Sequence, residues 1–287
     1  MSVKRGAKMI CMKYEKGIKI DGVRDLDLAQ TLDCGQCFRW EEQSDGSFTG
    51  VAYGKSVSVR LCEDTLYIEK ADEADFENIW KNYFDLSLDY GKIKTELSLI
   101  HPVLAEAAGY ASGIRILRQE PWEALCTFII SQNNNIKRIK GIVARLCETF
   151  GEKIGENEYA FPIAEKIAGL TADDLAPLRA GFRNRYLLDA AQKVHSGVVT
   201  LEKCFDLPYD EAKAELMKIT GVGVKVADCT LLFGFHRVEA FPVDVWMKRA
   251  MEILFPDMKP EDFGEYAGIA QQYIFHYSRM HPELFDK

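Results

Sequence analysis

The chain has 287 residues, is 47% hydrophobic and 28% charged, and carries a formal net charge of −8. Such a composition fits a folded protein of roughly two domains with ample core and excludes wholesale disorder. It contains no apolar run of about eighteen residues, as a membrane helix would need, and Met1 to Tyr14 lacks the apolar centre of a signal peptide, so a soluble intracellular protein with a ragged start of about ten residues is expected.

In chain order, a short helix is expected from Asp27 to Leu32, followed by Cys34-Gly35-Gln36-Cys37-Phe38-Arg39-Trp40. Alternation of apolar and polar residues then predicts three strands, Ser47 to Ala52, Ser56 to Leu61 and Thr65 to Glu69, with turns at Tyr53-Gly54-Lys55 and Cys62-Glu63-Asp64. An antiparallel meander of this kind needs cover on one face, and Asp72 to Tyr83 and Lys92 to His101 are the candidate helices. From about Ser112 the pattern is helical to the end. Helices are expected at Pro121 to Ser131, Ile136 to Phe150, Ala164 to Leu170, Thr171 to Ala180, Arg185 to Ser196, Tyr209 to Lys218, Val224 to Gly234, Val245 to Phe255 and Phe263 to Tyr277. Asp210, behind Pro208, reads as an N-cap.

The densest chemistry lies between Leu216 and Arg249. Helix, Gly221-Val222-Gly223, helix is a hairpin whose glycines permit a tight turn and close backbone approach, and whose second helix opens with N–H groups suited to a phosphate. That describes sequence-independent contact with a DNA backbone. Lys225 falls in the first turn of the second helix, an end that favours anions. It reads either as a solvated lysine or as an amine nucleophile, and attack requires the neutral amine that helix N-terminal placement and partial burial both favour. Asp244 in Phe241-Pro242-Val243-Asp244-Val245-Trp246 reads as the N-cap of the next helix, and a carboxylate there could also lie beside a developing positive charge.

The eight cysteines are dispersed, with Cys34 and Cys37 the only C-x-x-C pair and none after Cys229, and the five histidines show no metal spacing, so no zinc or iron–sulfur site is expected. A DNA ligand of so acidic a chain needs locally concentrated cations. Candidate clusters are Lys137, Arg138 and Lys140; Arg183 and Arg185; Lys218 and Lys225; and Lys248 and Arg249, each of which reads equally as a solvated helix face.

Gly-Val-Gly-Val-Lys-Val-Ala-Asp-Cys followed by Phe-Pro-Val-Asp-Val resembles the helix-hairpin-helix/Gly-Pro-Asp superfamily of base-excision DNA glycosylases, and within it the 8-oxoguanine DNA glycosylase/lyases of the eukaryotic type. Three further blocks carry the resemblance: Gly35 to Trp40; Ile116 to Pro121 with Ser131 to Ile136; and Gly268 to Gln271 with Phe275. Thr220 stands where the family has a proline, Phe182 where it often has a tyrosine wedge, and Trp246 where a phosphate-contacting histidine is common.

The resemblance implies an α+β fold. A small antiparallel, TBP-like sheet domain (residues 1–111) would pack on a helical domain (112–287) with its hairpin at about 209–234 and the cleft at the junction. It implies a monomeric base-excision repair enzyme that takes 8-oxoguanine, preferably opposite cytosine, from double-stranded DNA. Lys225 would be the Schiff-base nucleophile for glycosylase and β-elimination steps, with Asp244 stabilising the positive charge. Gly35 would accept from the lesion's N7–H, Gln271 would read the Watson–Crick edge, and Phe275 and Cys229 would sandwich the base. Asn133, Arg138, Phe182 and Arg183 would meet the widowed strand. Gly221, Gly223, Val224 and Trp246 would meet the DNA backbone. No cofactor and no iron–sulfur cluster are implied, although carbonyls of such hairpins can bind a structural cation. The competing expectations are a glycosylase for another oxidised base and a non-catalytic DNA-binding module.

Overall fold

The computed structural model describes residues 9–285, so nearly all of the expected ragged start lies outside the described residues. Six strands, β1 (Ile10–Tyr14), β2 (Gly17–Asp21), β3 (Trp40–Glu42), β4 (Phe48–Ala52), β5 (Lys55–Cys62) and β6 (Thr65–Glu69), form one antiparallel sheet in the order β1-β2-β6-β5-β4-β3. The three expected strands are the meander β4-β5-β6. β2 docks on it through the pairs Ile18↔Ile68 and Ile20↔Leu66, so the buried face of the sheet alternates Ile18, Ile20, Val57, Val59, Leu66 and Ile68.

Helix α1 (Leu28–Leu32) is capped by Asp27, whose carboxylate accepts the Gln30 N–H at 2.8 Å. The sheet is covered by one helical stretch made of α2 (Glu73–Asp75), a π turn (Phe76–Trp80) and α3 (Lys81–Tyr83). Phe76, Trp80, Tyr83 and Phe84 join Trp40 in the core beneath it. Trp40 is fully buried, donates its indole N–H to the Tyr83 hydroxyl at 2.7 Å, and lies across the sheet from Gly50. A Cβ at Gly50 would overlap the Trp40 ring.

Helices α4 (Tyr90–Ser98) and α5 (Pro102–Tyr110) correct the expectation that Lys92 to His101 covers the sheet. Their apolar positions Ile93, Leu97, Leu104 and Ala107 belong to the helical core. The remaining helices are α6 (Pro121–Ser131), α7 (Ile136–Phe150), α8 (Ala164–Ala168), α9 (Arg183–His195), α10 (Tyr209–Met217), α11 (Val224–Gly234), α12 (Val245–Leu254) and α13 (Ala267–Met280). The helical domain also carries a two-stranded addition, β7 (Lys153–Gly155) with β8 (Glu158–Tyr159).

Three local expectations are corrected. Thr171 to Ala180 is not a helix: Pro177 interrupts it, and only a 3-10 turn, Ala176–Leu178, forms. Phe263 to Tyr277 is broken at Gly264 (φ 72), so that a 3-10 stretch (Pro260–Tyr266) precedes α13. Asp210 is not the cap of α10. Pro208 takes that position without a side-chain bond, and Asp210 sits in the first turn, where the helix dipole favours it.

Two buried polar hubs join the domains. Gln36, fully buried, donates to the Thr31 and Arg115 carbonyls at 2.8 Å each and accepts from the Leu117 N–H at 2.9 Å, which pins the loop that follows α1. Asp85, 1% exposed, meets Arg118 at 2.7 Å, His236 at 2.9 Å and the Tyr90 hydroxyl at 2.9 Å. Burial pushes the Asp85 carboxyl up, but His236 and Arg118 outweigh it and hold it below its ordinary 3.8.

Gly50→Ala is expected to destabilise the fold by about 1–3 kcal/mol through overpacking against Trp40, whereas an open-space change such as Gly109→Ala costs little; urea unfolding compares them. For Asp85 the folded carboxyl titrates below the unfolded one, so its contribution is present above 3.8 and lost as pH falls through the lower folded value. Asp85→Asn should therefore cost about 3 kcal/mol at neutral pH, and the gap to the parent protein should close as pH drops below 3.8.

Candidate active site

The hairpin is built by two glycines with different duties. Gly221 has φ 82, and a Cβ there would overlap the Tyr186 ring, so both conformation and packing require glycine. Gly223 has an ordinary extended backbone (φ −96) as the N-cap of α11, and a Cβ would meet nothing within 4 Å. The N–H groups of Gly221, Gly223 and Val224 have no partner among the described residues. Thr220 donates its N–H to Asp189 Oδ2 at 2.7 Å, a bond that a proline could not make. The two hairpin helices are clipped together by Asp228 on α11, which accepts from the Tyr209 hydroxyl at 2.6 Å and pairs with Lys213 at 2.9 Å on α10.

Lys225 is half-buried, with Nζ 3.4 Å from Ser131 Oγ at the end of α6 and 5.3 Å from the Phe128 ring centroid. Asp244 caps α12, its Oδ1 accepting the Met247 N–H at 2.7 Å. Lys225 and Asp244 together line an open cleft of about 850 Å³ and a second cavity of about 320 Å³ that includes Gly35 and Phe275. The cavity deepens into a recess lined by Gly35, Phe128, Cys229, Gln271 and Phe275. Gly35, at φ 93, sits on the loop pinned by Gln36, and its carbonyl has no partner among the described residues. Gln271 is 4% exposed and donates to the Pro242 carbonyl at 3.1 Å. Burial pushes the Cys229 thiol up to about 11 against the opposing pull of the Lys225 ammonium, so it faces the recess as a neutral group. Phe275 is half-buried, with the Arg279 guanidinium 5.5 Å from its ring centroid.

The residues expected on the widowed strand do not behave alike. Asn133 is exposed at the cleft mouth with φ 47, Arg138 is exposed one turn into α7, and Phe182 is 50% exposed, edge-on to Tyr186. Arg183 is engaged within the protein. It is 3% exposed, and its guanidinium makes four bonds to the carbonyls of Ala180, Gln132 and Asn133. It holds the Asn133 loop from beneath. Trp246 lines the cleft, but its indole N–H is taken by Ser278 Oγ at 2.8 Å. The expected basic clusters are also thinned: Lys140 pairs with Asp33 and Glu41, and Lys218 with Glu215. Lys137, Arg138 and Arg185 have no side-chain partner among the described residues.

Phe128 and Ser131 beside the amine, and Gln272 beside Gln271, are site residues for which no role was expected. Phe128 is indistinguishable in sequence from the other apolar residues of α6. Gln272 leaves a trace, a second amide in the otherwise apolar run of α13.

Residues 20–125 match the 8-oxoguanine DNA glycosylase N-terminal domain, and residues 126–262 match the HhH-GPD superfamily base excision DNA repair protein. The N-glycosylase/DNA lyase of Saccharomyces cerevisiae is 33% identical over 266 residues, which cover 83% of this chain and 70% of the yeast protein. The structure of MBOgg1 in complex with a low-affinity DNA ligand shares 42% identity at a TM-score of 0.92, covering 96% of this chain and 100% of its own. The Clostridium acetobutylicum 8-oxoguanine glycosylase/lyase, in complex with double-stranded DNA containing cytosine opposite 8-oxoguanine, shares 39% identity at a TM-score of 0.89, covering 95% of this chain and 98% of its own. The sheet domain, the hairpin, the cleft between them and these likenesses together make the chain a member of the 8-oxoguanine DNA glycosylase/lyase family, within the HhH-GPD superfamily of base-excision repair enzymes.

Proposed function

We propose that this protein acts as a monomer on double-stranded DNA, excises 8-oxoguanine, preferably opposite cytosine, and nicks the strand through a Schiff base on Lys225. The observation that carries the reading is the placement of an amine and a carboxylate at the N-termini of two helices that share one cleft, with a recess lined by Gly35, Cys229, Gln271 and Phe275 behind them.

The hairpin N–H groups hold a phosphate, and the damaged nucleotide is extruded at a cost of a few kcal/mol. The Gly35 carbonyl accepts the N7–H of the oxidised base. Guanine presents an acceptor at N7, so it leaves two oxygen- or nitrogen-centred lone pairs facing each other. Gln271 meets the Watson–Crick edge, and Phe275 and the neutral Cys229 thiol lie on the two sides of the ring. The Lys225 amine then forms a bond to C1′ as the bond from C1′ to the base breaks, and the base leaves with the bonding pair. Asp244 stabilises the positive charge on the sugar. The departing base takes one proton from the attached amine, and ring opening, with O4′ leaving C1′ and taking a proton from solvent, yields the protonated Schiff base. Loss of a C2′ proton expels the 3′ phosphate as the leaving group. The scheme needs no cofactor, because amine and carboxylate supply the chemistry.

Lys225→Gln is expected to lower base release and strand nicking by at least about a thousandfold while leaving binding to lesion DNA intact. Borohydride trapping on a duplex with one 8-oxoguanine opposite cytosine reads this directly: the parent protein forms a covalent adduct and the variant does not. Base release at the parent rate by the variant would overturn the mechanism. Gly223→Ala tests the backbone clamp. The added methyl meets nothing in the protein, so stability should stay within about 0.5 kcal/mol, whereas DNA binding should weaken about tenfold. Unchanged affinity in a fluorescence-anisotropy titration would rule out close approach of DNA at this residue.

A further inference from the structure

Gln271 and Gln272 are both buried, at 4% and 5% exposure, and both line the recess. A buried amide must find its partners inside the protein, and here the partners form one line. The Cys34 thiol lies 3.7 Å from Gln272 Oε1, Gln272 Nε2 donates to Gln271 Oε1 at 2.6 Å, and Gln271 Nε2 donates to the Pro242 carbonyl at 3.1 Å. The line runs from the residue before Gly35 to the Phe241–Asp244 loop, so it spans the recess from its recognition side to its catalytic side.

Each end is chemically one-sided. The Pro242 carbonyl can only accept. Burial pushes the Cys34 thiol up to about 11, so it keeps its proton and can donate. That proton is shared with a second acceptor, the Thr31 carbonyl at 3.4 Å, which also receives the Gln36 amide at 2.8 Å. Gln272 Oε1 has no other donor among the described residues. With an acceptor at one end and a donor at the other, one polarity of the two amides satisfies every group. Reversing Gln271 alone sets its oxygen against the Pro242 carbonyl and its NH₂ against that of Gln272. Reversing both keeps the clash at Pro242 and turns the Gln272 NH₂ toward the thiol.

We infer that Gln272, held by Cys34, is a specificity-determining positioning residue: it locks the Gln271 amide with its carbonyl oxygen as the group offered to the base, and so selects purines that carry an N1–H. The inference rests on the proposed reading of Gln271 at the Watson–Crick edge. Gln272 occupies one lone pair of Gln271 Oε1 and leaves the other for the ligand. 8-Oxoguanine and 8-oxoadenine share the C8 oxygen and the N7–H, so Gly35 sees them alike. They differ at N1, a donor in the guanine and an acceptor in the adenine, and a fixed acceptor on Gln271 rejects the second.

The test is the ratio of single-turnover excision rates on duplexes with 8-oxoguanine or 8-oxoadenine opposite cytosine. Gln272→Met keeps length and apolar packing but cannot donate, and the 8-oxoguanine preference should fall about tenfold as one of the two contacts opposing reversal of Gln271 is lost. Cys34→Ala should shift the ratio in the same direction by less, and Cys34→Ser, which restores a donor, should keep the parent ratio. A Gln272→Met enzyme that is slower on both bases by one factor, with the ratio unmoved, overturns the inference, because a purely structural role lowers both rates together. If Gln272→Met does not fold, an unmoved ratio in Cys34→Ala overturns it equally. A parent enzyme that excises neither base refutes the functional reading beneath the inference, an outcome distinct from an unmoved ratio.

Discussion

The position of the Lys225 amine depends on one packing constraint: α11 is buried from Val226 to Gly234, while Gly223 and Val224 at its start are exposed. A helix gripped along most of its length cannot slide, so its open first turn is delivered to the cleft at a set place. The grip is close. At Gly234 an added Cβ would lie 3.0 Å from Pro121 Cα and 3.1 Å from Ala124 Cβ, at the start of α6. The far end of α6 supplies Phe128 and Ser131, which lie against Lys225. The surroundings of the amine are therefore set by the same helix pair whose packing holds the core, and the Asp228 clip to α10 keeps the hairpin loop in step with it.

Much of this was legible in the chain. The bounds of α6, α7 and α11 and the cap at Asp244 follow from local periodicity and capping chemistry, as do the three strands of the meander. The strands β1, β2 and β3 were not legible, because their burial is created by partners distant in sequence, such as Ile20 with Leu66. The candidate site divides in the same way. That Gln271 and Phe275 share a helix face follows from their spacing. That Arg183 is consumed by three carbonyls, and the Trp246 indole by Ser278, could not be read, because the identity of a side chain's partner is a tertiary fact.

Those consumed groups leave a chain of net charge −8 to suit a polyanion by means other than a basic patch. Several cations that might have formed a basic patch are neutralised by their own chain, among them Lys140 and Lys218. What remains at the cleft is a few cations and two helix N-termini of matching geometry, Gly223 at φ −96, ψ −176 and Asp244 at φ −95, ψ −176. Helix N-termini attract phosphate through oriented N–H groups and partial charge and so require little net positive charge. On the proposed reading, the glycine at the first of them keeps the surface low enough for a backbone to come close, and the carboxylate at the second adds a negative group where the reaction would develop positive charge.

On the proposed reading, recognition and chemistry are separated in space and coupled through burial. The Gly35 carbonyl and the Gln271 oxygen are acceptors at a recess that admits little water, and a base lacking a matching donor leaves one of them unpaired. Each such loss costs on the order of 1–3 kcal/mol, so two acceptors read on the same base multiply to a discrimination that neither reaches alone. The amine at the mouth of the recess has no means of telling one sugar from another. Its selectivity comes from the time a base spends inside, and that time is set by how rigidly the acceptors are held. The pinning of Gly35 by Gln36 and of Gln271 by Pro242 and Gln272 is accordingly part of the catalytic apparatus, although none of the pinning groups meets the reacting carbon.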